Sequence, residues 1–224
     1  MVNRPTLHYN TVTPLLKSTL LKLMQEYIFM PFRLVGGTSL SLRLGHRKSV
    51  DIDLFTNAPY GSLDFSRIED YLQNNFQYFS MPDKTDIIGF GKSYFIGNSQ
   101  IDFVKLDLYY YDEMNTEYEI IDGIRMAKLE DIVAMKIDVI SRSGRKKDFW
   151  DLHELLGKFS LNEMIELHKK QFEYTHNRNE ILDNLTNFNF ADDDFDPICL
   201  RGKIWELIKL DIFEDVTLIK QSQV

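Results

Sequence analysis

Gly36-Gly-Thr-Ser-Leu-Ser-Leu-Arg-Leu-Gly-His-Arg-Lys-Ser-Val-Asp51-Ile-Asp53-Leu-Phe55 is the stretch on which the reading of this chain turns. Its end, residues 49–55, alternates apolar and polar residues with a period of two, as a strand with one buried face does. Val50, Ile52 and Leu54 line one side, Asp51 and Asp53 the other. Carboxylates forced side by side repel, and a cation between them removes that cost. Hard oxygen ligands suit Mg²⁺, which keeps its waters and bridges to substrate phosphates. The plainer alternative is two exposed aspartates on an edge strand. Upstream, residues 32–35 read as a short strand and residues 38–44 as a short helix closed by Gly45. Between them Gly36-Gly37 allows close backbone approach to a ligand at a helix start that favours an anion. Two glycines alone make only a tight turn. Their position before the D-x-D strand gives them weight.

A second strand, residues 101–110, buries Val104, Leu106 and Leu108 and turns Lys105 and Asp107 to the opposite face. A third carboxylate beside the first two would allow two metals about 3.5–4 Å apart, the clamp used in nucleotidyl transfer. A cross-strand salt bridge is the alternative. A third cluster lies on a helical stripe of Leu129, Ile132, Val133 and Ile140, within which Lys136 falls. A lysine so placed snorkels to the rim or enters a polar cleft. Asp148 and Asp151 sit three apart on the helix that follows. There Asp148 can equally be an N-cap, with Lys136–Asp148 an inter-helix ion pair.

Around these motifs, Thr13-Pro14 opens a first helix that Pro31 stops, and Asp64 starts another reaching about Tyr78. Strands are expected at 85–90, 92–96 and 101–110, joined by Gly and Asn and so antiparallel. Helical spacing takes over at 127–141, 148–158, 161–175, 178–186 and 198–220. The expectation is an α/β (α+β) domain over residues 1–125 and a helical domain over 126–224.

The 224 residues carry 44% apolar and 27% charged side chains, which excludes a disordered chain. No run approaches the ~18 apolar residues of a membrane span. The start lacks the apolar stretch of a secretory signal, and the single Cys199 excludes an internal disulfide. A cytoplasmic protein without membrane contact is expected. A net charge of −8 makes a poor generic nucleic-acid binder. Any such contact needs a local basic patch, either His46-Arg47-Lys48 or Arg142-Ser-Gly-Arg145-Lys146-Lys147. Against them stands Asp192-Asp-Asp194-Phe-Asp196, read as a solvated loop.

Taken together, the 36–55 stretch, Lys105-x-Asp107, Ala134-Met-Lys136 and Arg145-Lys-Lys-Asp148-Phe-Trp-Asp151-Leu resemble the AbiEii/AbiGii abortive-infection toxins. These belong to the nucleotidyltransferase superfamily with a DNA polymerase beta-like core. The likeness covers roughly residues 33–156, with Lys147 standing where the later motif more often has Arg. It implies a mixed-sheet nucleotidyltransferase domain flanked by helices, then a helical C-terminal domain. It implies a toxin of a toxin–antitoxin system that moves NMP from an NTP to an RNA acceptor, a tRNA 3′ end, with a cognate antitoxin as partner. Asp51, Asp53 and Asp107 would hold two Mg²⁺ ions, and Lys136 and Asp148 complete the catalytic set. Gly36, Gly37, Thr38, Arg47, Lys105, Arg142 and Arg145 would bind substrate. Two rivals remain: a nucleotidyltransferase acting on a small molecule such as an antibiotic, and a catalytically silent interaction module of the same fold.

Overall fold

The aspartate strand lies in the middle of a seven-stranded mixed sheet in this computed structural model, which describes residues 6–82 and 90–222. The chain divides into two compact units, Met1–Arg43 with Ser49–Lys128, and Leu44–Lys48 with Leu129–Val224. The first unit runs α1 (Pro14–Gln25), β1 (Arg33–Leu34), α2 (Gly36–Leu44), β2 (Asp51–Thr56), α3 (Phe65–Asn75), β3 (Tyr78–Ser80), β4 (Gly91–Ser99), β5 (Asp102–Tyr110), β6 (Tyr118–Ile121) and β7 (Ile124–Ala127). The strand order is β3-β4-β5-β2-β1-β7-β6, with β2/β5 and β1/β7 parallel and the other pairs antiparallel.

Sequence chemistry sets these elements. Thr13 caps α1, its side chain accepting from the Leu16 N–H, and Pro14 fills the first helical position. Asp64 caps α3 in the same way. α1 stops at Gln25 rather than at Pro31, because Glu26 is extended and a 3₁₀ turn, Tyr27–Phe29, takes up the interval. On one sheet face Ile52, Leu54, Leu106 and Leu108 are fully buried against Leu16, Leu20 and Leu72 from the helices. The other face carries the polar residues of β2 and β5. The chain past α3 turns into β3 instead of continuing as helix to Tyr78. Except for Phe90, the strand expected at 85–90 lies outside the described residues. The β6–β7 hairpin is an addition to the expected strands, and it turns on Asp122-Gly123, both left-handed (φ 51° and 79°).

The second unit is helical: α4 (Leu129–Ser141), α5 (Lys146–Leu155), α6 (Leu161–Gln171), α7 (Arg178–Asn184), α8 (Asn189–Asp192) and α9 (Trp205–Gln221). α4 packs on α5, α6 and α7, and α9 on α5 and α6. Trp150 and Trp205 stack at 6.0 Å with planes 9° apart. The helix expected from 198 begins only at Trp205. Residues 198–200 instead lie extended against the short segment 46–48, where Lys48 N–H donates to Ile198 O and Leu200 N–H to His46 O.

Candidate active site

Strand register in the first unit aligns the sequence-predicted acids. In the parallel β2/β5 pair Asp51 lies beside Lys105 and Asp53 beside Asp107. Across β5, Ser93 of β4 is in register with Asp107. Both oxygens of Asp107 are engaged: Ser93 Oγ donates to Oδ1 at 2.5 Å and Lys105 Nζ to Oδ2 at 2.6 Å. Burial works against the Lys105 charge, but the hydrogen bond and charge of Asp107, with the charges of Asp51 and Asp53, outweigh it and raise its pKa. One ammonium thus balances three carboxylates. Ser93 was not among the expected residues. Its signal was positional, since it occupies the outer-face position of β4 nearest the acid pair.

At the head of α2, Gly36 has φ +67°, and a Cβ there would collide with Asp53 Oδ2. The backbone of the predicted cradle therefore packs directly on a carboxylate, and only glycine allows it. Gly37 follows on the first turn of α2 and is half-buried. Thr38 departs from expectation. It is fully buried, its Oγ1 donates to the Asp51 carbonyl and pairs with Ser49 Oγ, so its hydroxyl ties α2 to β2 instead of facing phosphate.

As hard oxygen donors, Asp51 and Asp53 fit a divalent cation, and the bare Gly36 backbone leaves room for the Asp53 carboxylate. Among the described residues, however, no three His, Cys, Asp or Glu side chains are grouped so as to hold a metal ion. Asp53 and Asp107 are nonetheless in register on neighbouring strands, with Lys105 and Ser93 hydrogen-bonded to Asp107. Each Asp107 oxygen accepts one of these hydrogen bonds and keeps a second lone pair.

The remaining predicted residues belong to the second unit. Lys136 is buried between Asp148 Oδ1 (2.6 Å) and Asp151 Oδ2 (2.8 Å). Asp148 also accepts from the Arg145 N–H with Oδ2, so it sits inside the first turn of α5 and Arg145 is the N-cap. Asp151, fully buried, gathers the rest: Arg47 forks onto both its oxygens at 2.6 and 2.7 Å, and His46 Nε2 lies 2.7 Å from Oδ1. Burial alone would raise the Asp151 pKa, but the charges of Arg47 and Lys136 and hydrogen bonds from His46 and Arg47 hold it well below the carboxylate range. For Lys136, Asp148 and Asp151 likewise overcome burial and raise the pKa. Arg47, expected on substrate, is buried on Asp151. His46 was read only as part of a basic patch, and its burial beside an acid 105 residues away left no local trace.

The basic run 142–147 meets the acidic run. Arg142 pairs with Asp138 (2.7 Å), Arg145 with Asp194 (3.2 Å), and Lys146, nearly buried, with Asp196 (3.0 Å) while lying over Trp205. Asp192 accepts from Trp205 Nε1 and Lys209. The run 192–196 is exposed at Asp192, Asp193, Phe195 and Asp196, as a solvated loop is, and two of its acids, Asp194 and Asp196, also pair with Arg145 and Lys146.

Comparison with known proteins fits this arrangement. The family model of the nucleotidyl transferase AbiEii toxin, type IV TA system, matches residues 20–218. An uncharacterized protein of Aquifex aeolicus (strain VF5) is 32% identical over 167 residues, covering 70% of this chain and 73% of that protein. Among solved structures, JHP933 from Helicobacter pylori superposes with a TM-score of 0.55 at 20% identity, over 92% of this chain and 93% of that one. MenT4, a nucleotidyltransferase toxin from Mycobacterium tuberculosis H37Rv, does so at 0.53 and 14% identity, over 88% and 79%. At such identities the structures speak for a shared fold.

Proposed function

The chain belongs to the AbiEii family of nucleotidyl transferase toxins from type IV toxin–antitoxin systems, and on that premise we propose that it moves NMP from an NTP to the 3′ end of an RNA, tRNA foremost, with Mg²⁺. The activity class, nucleotidyl transfer, follows from the family, as do an NTP substrate and an antitoxin in the same system. No helix among the described residues is long and apolar enough to cross a membrane, and the proposed site of action is the cytoplasm.

One observation carries the reading: Asp51 and Asp53 share a strand face, and the Gly36 backbone at the start of α2 packs on Asp53. Carboxylates for a cation and a helix start for phosphates are thereby one structure. Asp51 and Asp53 would hold Mg²⁺, which when bound offsets phosphate charge and favours ionisation of the attacking hydroxyl. The Gly36-Gly37 backbone at the start of α2 binds the triphosphate, while Thr38 fixes the strand that carries Asp51. Asp107 accepts the proton of the acceptor hydroxyl once Lys105 turns from it to a phosphate. Lys136 and Asp148, which match the family's later motifs, are proposed to be required for transfer as well as for the helical fold.

Purified protein incubated with each α-labelled NTP, Mg²⁺ and either total RNA or tRNA tests this. Label should enter RNA, vanish with chelator, and fall at least ~10²-fold in Asp53→Asn. Label in a small molecule but not in RNA would favour the antibiotic-type rival. No transfer with any NTP would favour a silent module.

A further inference from the structure

Beyond the acid row, the outer face of the sheet changes character. The next in-register pair on β2 and β5 is Phe55 beside Tyr109, and Tyr111 follows. Phe55 lies 5.8 Å from both tyrosine rings, inclined at 57° to Tyr109 and 44° to Tyr111. The core does not need these rings. The opposite face at this level is filled by Leu54 and Leu108, both fully buried. All three aromatic residues remain half-buried on the same side as the carboxylates.

The strand next door makes room for them. Gly91 of β4 is in register with Tyr109, and a Cβ there would meet the Leu108 carbonyl oxygen at 2.1 Å and both Cα and Cδ1 of Tyr109 at 2.7 Å. The missing side chain lets the β4 and β5 backbones approach closely and leaves the Tyr109 ring edge beside a bare position. Its hydroxyl is 3.3 Å from Ser93 Oγ, the same hydroxyl that donates to Asp107. Arg33, in register with Phe55 on the other side, gives its guanidinium to Asn115 O and Asn57 Oδ1 and lies over Tyr118. The three rings thus form a π-rich patch with one fixed cation, Arg33, at the position in register with Phe55, one side-chain step (about 6.6 Å) from a row built for cations and phosphates.

We propose that Phe55 and Tyr109, extended by Tyr111, form a stacking shelf for a nucleobase whose phosphate or 3′-hydroxyl lies at Asp53 and Asp107. The inference rests on the nucleotidyl-transfer reading. Every base offers a π-face, so the shelf binds bases with little sequence preference. The tilted rings act as two walls of a shallow cleft, and the Tyr109–Ser93–Asp107 hydrogen bonds couple its occupancy to the acid that faces the acceptor.

The base belongs either to the NTP or to the last nucleotide of the RNA, and calorimetry separates the two. One arm compares an α,β-methylene NTP with ribose 5′-triphosphate, both with Mg²⁺. The other compares a short single-stranded RNA with the same strand ending in an abasic ribose. In the wild type the base should improve affinity about 10-fold in one arm. Tyr109→Leu and Phe55→Leu should each erase most of that gain, and Tyr109→Phe should keep it. The arm that responds identifies the source. Thermal melts verify that the leucine variants fold, and either variant alone suffices. A base effect left intact in folded Tyr109→Leu and Phe55→Leu, or no base effect in the wild type, overturns the shelf. Metal-dependent binding of both triphosphates in that case leaves the transfer reading standing, whereas no triphosphate binding at all removes both.

Discussion

Gly36 stands where backbone conformation and carboxylate placement meet. A β-carbon there costs about 1–2 kcal/mol for the left-handed conformation and pushes the Asp53 carboxylate aside. Gly36→Ala should therefore melt earlier and lose ~10²-fold or more in transfer, the scale of a 1 Å misplacement. Full activity in the alanine variant would detach the glycine from the acid. Thr38 makes a sharper case. With its hydroxyl buried between Asp51 O and Ser49 Oγ, Thr38→Val removes both of these hydrogen bonds and should cost about 1–3 kcal/mol, with Thr38→Ser close to the wild type. A phosphate-binding threonine would instead raise KM for NTP at unchanged Tm. Strand periodicity made the faces of Asp51, Asp53 and Asp107 legible, because side-chain direction in a strand is a local property. The Thr38 hydroxyl could have turned either way, since its partners are set by how α2 lies on β2. Lys105 shows the same limit: alternation gave its face, but its choice of Asp107 over a phosphate is a matter of three dimensions.

At the scale of elements, two cations of the run 142–147, Arg145 and Lys146, pair with Asp194 and Asp196 of the run 192–196, and Arg142 pairs with Asp138. The proposed RNA acceptor then meets a patch whose cations are already bound. Asp194→Asn with Asp196→Asn should tighten RNA binding and steepen its salt dependence, by about 0.7 in the log–log slope for each further phosphate engaged, measured by filter binding at ~50–200 mM salt. An unchanged slope would mean that RNA does not pass over Arg145 and Lys146. The converse change, Lys146→Glu, is a poor probe of RNA binding, for it also removes a nearly buried ammonium from Trp205 and Asp196. Helical spacing identified α4, α5, α6 and α7 well, because each buries one stripe. It began the last helix seven residues too early, since Ile198, Leu200 and Ile204 continue an apolar rhythm that the backbone answers with bridging to residues 46–48. The β6–β7 hairpin did have a signal, Asp122-Gly123 between β-branched residues, overshadowed by its nearness to the helical half.

At the scale of the whole molecule, a dense set of buried charges lies in the second unit, where Asp151 joins Lys136, Arg47 and His46 with almost no solvent. Removing one partner strands the others, so Arg47→Met should cost about 3–5 kcal/mol. The pH dependence has a definite sign. The Asp151 pKa is depressed in the fold, so its contribution is present above about pH 4 and drains away as pH falls toward the folded value. The Lys136 pKa is raised, so its contribution holds below about pH 10 and fades only above it. Urea unfolding from pH 7 to pH 3, followed by Trp150 and Trp205 fluorescence, should show the acid loss. It should be much reduced in Asp151→Asn, and an equal loss there would place the acid sensitivity elsewhere. The segment 44–48 also has a consequence in time. Arg47 leaves the ribosome 104 residues ahead of its carboxylate, an interval of roughly 5–20 s at ordinary elongation rates. Throughout that interval His46 and Arg47 have no Asp151 to meet, and the helical unit cannot mature from its own residues alone. Synthesis order therefore makes residues 44–48 wait for the helices that complete their unit, and a fragment starting at 129 should emerge with Asp151 held by Lys136 alone, without Arg47 and His46, and prone to chaperone capture or proteolysis.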